Sequence, residues 1–188
     1  MKNIAVFVSG SGTNLENIIR HFEHSDKGRV VLTVSNRADA YALVRSRNLG
    51  VPSIVINKQQ LGDADFLLNV LGMHNVDFIV LAGFLLMAPK YLIEAYPHRI
   101  INLHPALLPK FGGKGMYGHH VHEAVKAAGE TEPGITIHYV SEVCDGGEII
   151  EQFRTPLADT DSIEDIEQKI HVLEQTYFPG VIEQVIKN

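Results

Sequence analysis

The feature that most constrains this 188-residue chain is a series of short β-rich runs at nearly even spacing. They lie at residues 4–8, 30–34, 53–56, 77–82 and 100–103, and their starts are 26, 23, 24 and 23 residues apart. The gaps have room for helices: residues 14–24 and 40–49 carry helical patterns, and 63–74 and 90–96 fit shorter ones. Continuous apolar strands separated by helices give βαβ units, and these build a parallel sheet buried on both faces. Their crossovers are then right-handed.

After residue 103 the rhythm changes. A glycine-rich loop at 111–118 leads into a helical stretch at 119–128. Two strand-like segments follow, 135–140 and 148–153, joined by a turn at 141–147. A last helix begins near Ser162, where Asp161 or Ser162 can cap the open amides. It is expected to run past Glu174 to about Tyr177, where Pro179 and Gly180 interrupt it. No repeat or linker divides the chain. The expected fold is a single three-layer α/β domain over residues 1–188, with a mostly parallel sheet, Rossmann-like in its N-terminal half, and a late antiparallel extension.

The composition narrows the function. A hydrophobic share of 45% with 20% charged residues is that of a soluble globular domain. A net charge of −6 argues against non-specific binding to nucleic acid or anionic membranes, though not against a local pocket for a small anion. The apolar start, Ile4 to Val8, ends at Ser9 and Gly10, too short for a signal-peptide core, and no stretch approaches a membrane span. The one cysteine, Cys144, excludes an internal disulfide and a four-cysteine zinc site. A reducing, cytoplasmic setting is the expectation.

Three motifs carry chemistry. Ser9-Gly10-Ser11-Gly12-Thr13-Asn14 directly follows the first strand and opens a helix, so small residues and free amides offer an anion site. Thr13 and Glu16 also have capping-box spacing, and a tight βα turn alone would explain the motif. It is neither a Walker A loop nor a full G-x-G-x-x-G, since Leu15 takes the third glycine position. Asn102-Leu103-His104-Pro105 ends the fifth strand, where open parallel sheets bind ligands. Alternation turns Asn102 and His104 the same way, an amide donor beside an imidazole, suited to an oxyanion and to proton handling. Cys144-Asp145-Gly146-Gly147 lies in the late turn. Folded over the fifth strand, it would set Asp145 against His104 and raise the imidazole pKa. His119, His120 and His122 cluster, but no obvious carboxylate or cysteine partner completes a metal set, and no metal is expected. No G-x-S-x-G elbow is present for a serine-type triad.

Taken together, these motifs resemble the folate-dependent glycinamide ribonucleotide (GAR) formyltransferases. The matching features, in order, are Ser9 to Asn14, Val80-Leu81-Ala82-Gly83-Phe84, Asn102 to Pro105 running on to Leu107-Leu108-Pro109-Lys110, Asp145-Gly146-Gly147, and Glu174, and they span about residues 2–182. The resemblance implies formyl transfer from 10-formyltetrahydrofolate to the GAR amine in purine synthesis, with no metal. It implies that Asn102 and protonated His104 stabilise the tetrahedral oxyanion, with Asp145 holding His104 charged. Gly12, Thr13 and Asn14 would bind the substrate phosphate, and Glu174, with His171 one turn earlier, the ribose. The folate would lie against Leu85, Leu86, Met87 and Ala88, beside Asn102. Its head would follow Ser141, Glu142, Val143, Cys144 and Asp145. His120, His122 and His138 line up with family histidines around the site.

Departures are visible. Leu85-Leu86-Met87 stands where family members often carry an arginine, and no arginine occurs between Arg47 and Arg99. Ala106 replaces a frequent serine. The methionyl-tRNA formyltransferases share Asn-x-His and Asp-Gly-Gly, but they carry an added RNA-binding domain and the acidic charge here disfavours tRNA. A phosphate-binding module without catalysis is the rival of another class. The expected partners are small molecules alone, and a homodimer stays open.

Overall fold

Alternate residues of the first strand are divided between two cores. In β1 (Lys2–Val8), Ile4, Val6 and Val8 pack on one side and Ala5 and Phe7 on the other, all fully buried. A strand with no solvent face belongs at the centre of a covered sheet. The computed structural model, which describes residues 1–187, places it there.

The chain runs on through α1 (Thr13–Phe22), β2 (Gly28–Ser35), α2 (Tyr41–Asn48), β3 (Ser53–Val55), α3 (Lys58–Gly62), α4 (Ala64–Met73), β4 (Phe78–Leu81), α5 (Lys90–Ala95) and β5 (Ile100–His104). It ends with α6 (His119–Ala127), β6 (Gly134–Tyr139), β7 (Ile149–Arg154) and α7 (Ile163–Ile186). The sheet has seven strands in the order β3-β2-β1-β4-β5-β6-β7. β1 to β5 pair in parallel; β6 is antiparallel to both β5 and β7. From β1 the chain winds outward to β3, then returns to β4 on the other side of β1. That reversal is a topological switch point, and its crevice opens at the carboxyl ends of β1 and β4.

Two local expectations differ from the structure. Thr13 and Glu16 form no capping box: Gly12, in the left-handed region at φ 76°, is the N-cap, and no side chain caps α1. Glu16 turns to Arg20, at 2.9 Å, and to Arg45 instead. The last helix does not stop near Tyr177, because α7 continues through Pro179. A proline inside a helix removes the bond to the carbonyl four residues back. Here that carbonyl, of Gln175, accepts a bond from Asn17 Nδ2 at 2.8 Å, and Pro179 itself is buried. The orphaned group has a partner on α1, so the interruption is tolerated.

The segment after β5 is anchored from beneath. Thr136, fully buried on β6 and opposite His104 in register, donates to Ala106 O at 2.7 Å. Its hydroxyl oxygen accepts from Leu108 N at 3.0 Å and from Gln152 Nε2 at 2.9 Å. Thr136→Val keeps the volume but strands a buried amide and a buried carbonyl. It is expected to cost about 1–3 kcal/mol, read as a lower urea midpoint with an unchanged m-value.

Candidate active site

A cleft of about 950 Å³ opens over the carboxyl ends of β1, β4 and β5. Its walls come from the loop after β1, the segment after β4, the end of β5, the 113–118 loop, the 140–145 turn and one face of α7.

At the floor, Asn102 and His104 share one face of β5. Asn102 pairs across the sheet with His138, and its Nδ2 lies 3.1 Å from His138 Nε2. His138 Nδ1 lies 2.9 Å from the Tyr139 carbonyl, which can only accept, so Nδ1 carries the proton. Burial pushes this histidine below its ordinary value, which favours the neutral ring. Nε2 is then an acceptor for one Asn102 N–H, leaving the second N–H free for the cleft.

His104 is almost wholly buried, and its Nε2 donates to the Phe111 carbonyl at 2.6 Å. The turn at 141–147 folds over the end of β5 and sets Asp145 Oδ1 at 3.6 Å from His104 Nδ1 and 3.8 Å from His138 Nε2. Asp145 adopts φ 53°, and its other oxygen accepts from Gly113 N at 2.9 Å. One carboxylate thus faces two imidazoles while holding the glycine-rich loop. Cys144 is largely exposed, but partial desolvation of its thiol and the nearby Asp145 charge push its pKa up, away from a reactive thiolate.

At one end, the uncapped start of α1 presents Gly12, Thr13 and Asn14 to the cleft. The first amides of a helix have no partners within it. Asn14 Nδ2 donates to Glu174 Oε2 at 3.0 Å and Gln175 Nε2 donates to Asn14 Oδ1 at 2.7 Å, tying α1 to α7. His171 Nδ1 lies 3.5 Å from the same Glu174 oxygen, and that contact raises the His171 pKa. At the other end, Leu85, Leu86, Met87 and Ala88 form an apolar wall facing Ser141, Val143 and Cys144. Leu85 and Met87 are about half exposed, which leaves apolar surface for a ring system to cover.

Glu142 does not join them. Its carboxylate points outward to Lys90 Nζ at 3.3 Å, because Ser141 and Val143 take the inner side of the turn. His120 also stays outside, exposed beside Glu123. The cleft adds residues that the motifs did not single out, among them Arg37 and Gln168. Arg37 follows the carboxyl end of β2, so the strand-end rule could have found it. Among the described residues, no group of three or more His, Cys, Asp or Glu side chains is arranged to hold a metal, and no helix is long and apolar enough to cross a membrane.

His122 lines the cleft almost completely buried, with an Nδ1 that has no partner among the described residues. Burial lowers its pKa below 6.5 despite Glu167 and Glu174 nearby, and His138 shifts the same way. On acidification the unfolded chain takes up protons that the folded rings refuse. Their contribution is therefore full above the unfolded value of about 6.5 and is lost as pH falls below it. Because His171 is shifted the other way, the test is a difference: between about pH 7.5 and about pH 5.5 the urea midpoint of the unaltered protein is expected to fall more, or rise less, than that of His122→Asn. Equal slopes in the two proteins would remove His122 from this account.

Similarity to known proteins agrees with this geometry. The formyl transferase family model matches residues 2–182. The phosphoribosylglycinamide formyltransferase of Haemophilus influenzae is 38% identical over 192 residues, covering 97% of this chain and 86% of the relative. The chloroplastic enzyme of that name from Arabidopsis thaliana is 41% identical over 177 residues; the match covers 90% of this chain but only 60% of the relative's length. Among solved structures, glycinamide ribonucleotide transformylase 1 from Geobacillus kaustophilus superposes with a TM-score of 0.89 at 34% identity, covering 99% of both chains. With the match running nearly end to end and the three motifs meeting in one cleft, the chain belongs to the formyl transferase family.

Proposed function

We propose that this enzyme transfers the formyl group of 10-formyltetrahydrofolate to the amine of glycinamide ribonucleotide, giving formyl-GAR and tetrahydrofolate in cytoplasmic purine biosynthesis. The observation that carries this reading is the meeting of Asn102, His104 and Asp145 at the floor of the cleft, between an open helix N-terminus and an apolar wall. The cleft lies at the upper end of the usual range for small-molecule sites, about 300–1,000 Å³.

The phosphate sits on the amides at Gly12, Thr13 and Asn14, where the helix dipole favours an anion. Glu174 and His171 take the ribose hydroxyls. The folate ring system covers Leu85 to Ala88 and reaches the turn at Ser141 to Asp145. The reacting amine and formyl carbon then meet above β5. The amine lone pair forms the new C–N bond while the carbonyl π pair moves to oxygen. The free Asn102 N–H donates to that oxyanion, and the His104 imidazolium, whose N–H groups face Phe111 O and Asp145, stabilises it through its charge. The oxyanion pair then re-forms the carbonyl as the bond from the formyl carbon to N10 of the folate breaks, and the proton lost by the attacking amine passes by way of Asp145 and water to N10. Asp145 stabilises the cation on His104 and helps move the proton.

A spectrophotometric assay with 10-formyltetrahydrofolate and GAR, without ATP, tests the reading. GAR-dependent loss of the formyl donor is the expected result. Donor loss that ignores GAR would make the enzyme a hydrolase, and no turnover with phosphate compounds still bound would leave a binding module.

A further inference from the structure

The anion loop is braced from behind by α2. Ala42 N donates to Gly10 O at 3.1 Å, and Arg45 Nε donates to Ser11 O at 2.8 Å. The fit is close: a Cβ on Gly12 would fall 2.5 Å from Ala42 Cβ. In a trans peptide the C=O and the following N–H point in opposite directions. Drawing the Gly10 and Ser11 carbonyls toward α2 therefore aims the Ser11 and Gly12 amides away from it. Both residues line the cleft.

Arg45 has a second contact. Its Nη1 pairs with the Glu16 carboxylate, which Arg20 grips from the other side at 2.9 and 3.0 Å. Glu16 lies in the first turn of α1, one turn from the open amides. An uncompensated carboxylate there would repel an anion well inside the screening length of about 8–10 Å. The two guanidinium groups, Arg45 first, lower the Glu16 pKa and offset its charge. Arg45 is half sheltered, with the Tyr41 ring 5.0 Å from its guanidinium.

We infer that Arg45 is a positioning residue for the anion end of the cleft: it aims the Gly12 amide and neutralises Glu16, setting affinity for the phosphorylated substrate without touching the reacting groups. The inference rests on the phosphate assignment above. Its consequence is a split between kinetic constants. In Arg45→Met the KM for GAR is expected to rise about tenfold, the size of one charge-assisted hydrogen bond. The KM for the formyl donor and kcat should move less than about twofold. Adding Glu16→Gln to that variant should recover part of the loss, because the carboxylate would otherwise be left to Arg20 alone, which is more exposed than Arg45.

Inorganic phosphate, used as a competitor against GAR, separates the two levels of the argument. If phosphate does not compete in the unaltered enzyme, the phosphate assignment itself fails and the inference with it. If phosphate competes there but Arg45→Met leaves the KM for GAR unchanged, or raises both KM values and lowers kcat together, the role given to Arg45 is overturned. Should Arg45→Met fold poorly, Arg45→Lys keeps the charge without the planar fork and is expected to give an intermediate KM for GAR.

Discussion

Replacing Asp145 by asparagine is expected to lower kcat by about 10²–10⁴-fold, the range for losing one member of a proton-handling set, with both KM values nearly unchanged. The substitution keeps the fold because an amide oxygen can still accept from Gly113 N, as Asp145 Oδ2 does at 2.9 Å. What changes is the atom facing His104 and His138: an acceptor bearing negative charge becomes a neutral donor. His104 retains its bond to the Phe111 carbonyl but loses the counter-charge on its other nitrogen. His104→Ala should be at least as damaging. The decisive measurement is single-turnover formyl transfer by the double variant. Groups that act as a unit are non-additive, so it should be no slower than the worse single variant. Losses that multiply would mean that the two residues work independently.

The second large effect is expected at a position with no functional group at all. A Cβ on Gly147 would lie 1.7 Å from the Tyr139 carbonyl oxygen, a backbone atom that cannot swing aside. Tyr139 N also donates to Glu148 O at 2.8 Å, so the two ends of the turn are already in contact. Gly147→Ala must therefore push the turn off the end of β5 and carry Asp145 with it. The expected outcome is about 3 kcal/mol or more of lost stability, in the range of severe backbone or overpacking substitutions. The variant should also lose turnover on the scale of Asp145→Asn. A Gly147→Ala enzyme of normal activity would show that Asp145 can reach His104 from another turn geometry.

The sheet was legible because its signal is long and redundant. The five parallel strands recur at regular spacing around an apolar centre, β4 and Ile4 to Val8 of β1 being buried on both faces, so no single residue decides them. Asn102 and His104 were legible for a related reason: strand alternation fixes their common direction. What the chain concealed was partnership at a distance. Thr13 and Glu16 have the spacing of a capping box, but Arg45, 29 residues on from Glu16, offers the carboxylate a charged partner and wins it. Pro179 reads as a helix stop until Asn17 is found at the abandoned carbonyl, 158 residues away from Gln175 in sequence. Glu142 sits between two cleft residues in sequence, and only the pitch of the turn sends it outward. The contact of Asp145 with His104 needed the same kind of long-range closure, which no periodicity encodes.

The proline in α7 also has a metrical meaning. An uninterrupted helix can slide along a neighbour by a turn and find equivalent ridges again. A helix with one bare carbonyl is held more tightly, because that carbonyl is matched to Asn17 while Asn14, one turn earlier, is already taken by Glu174 and Gln175. The pairing of Asn17 with Gln175 thus works as an index pin between the two helices, and the bonds of Asn14 to Glu174 and Gln175 lie beside it. It fixes the span from the amides at Gly12 to the carboxylate of Glu174 before any ligand arrives. The cleft therefore carries its own gauge, a length between its amide end and its carboxylate end that the protein itself has already set.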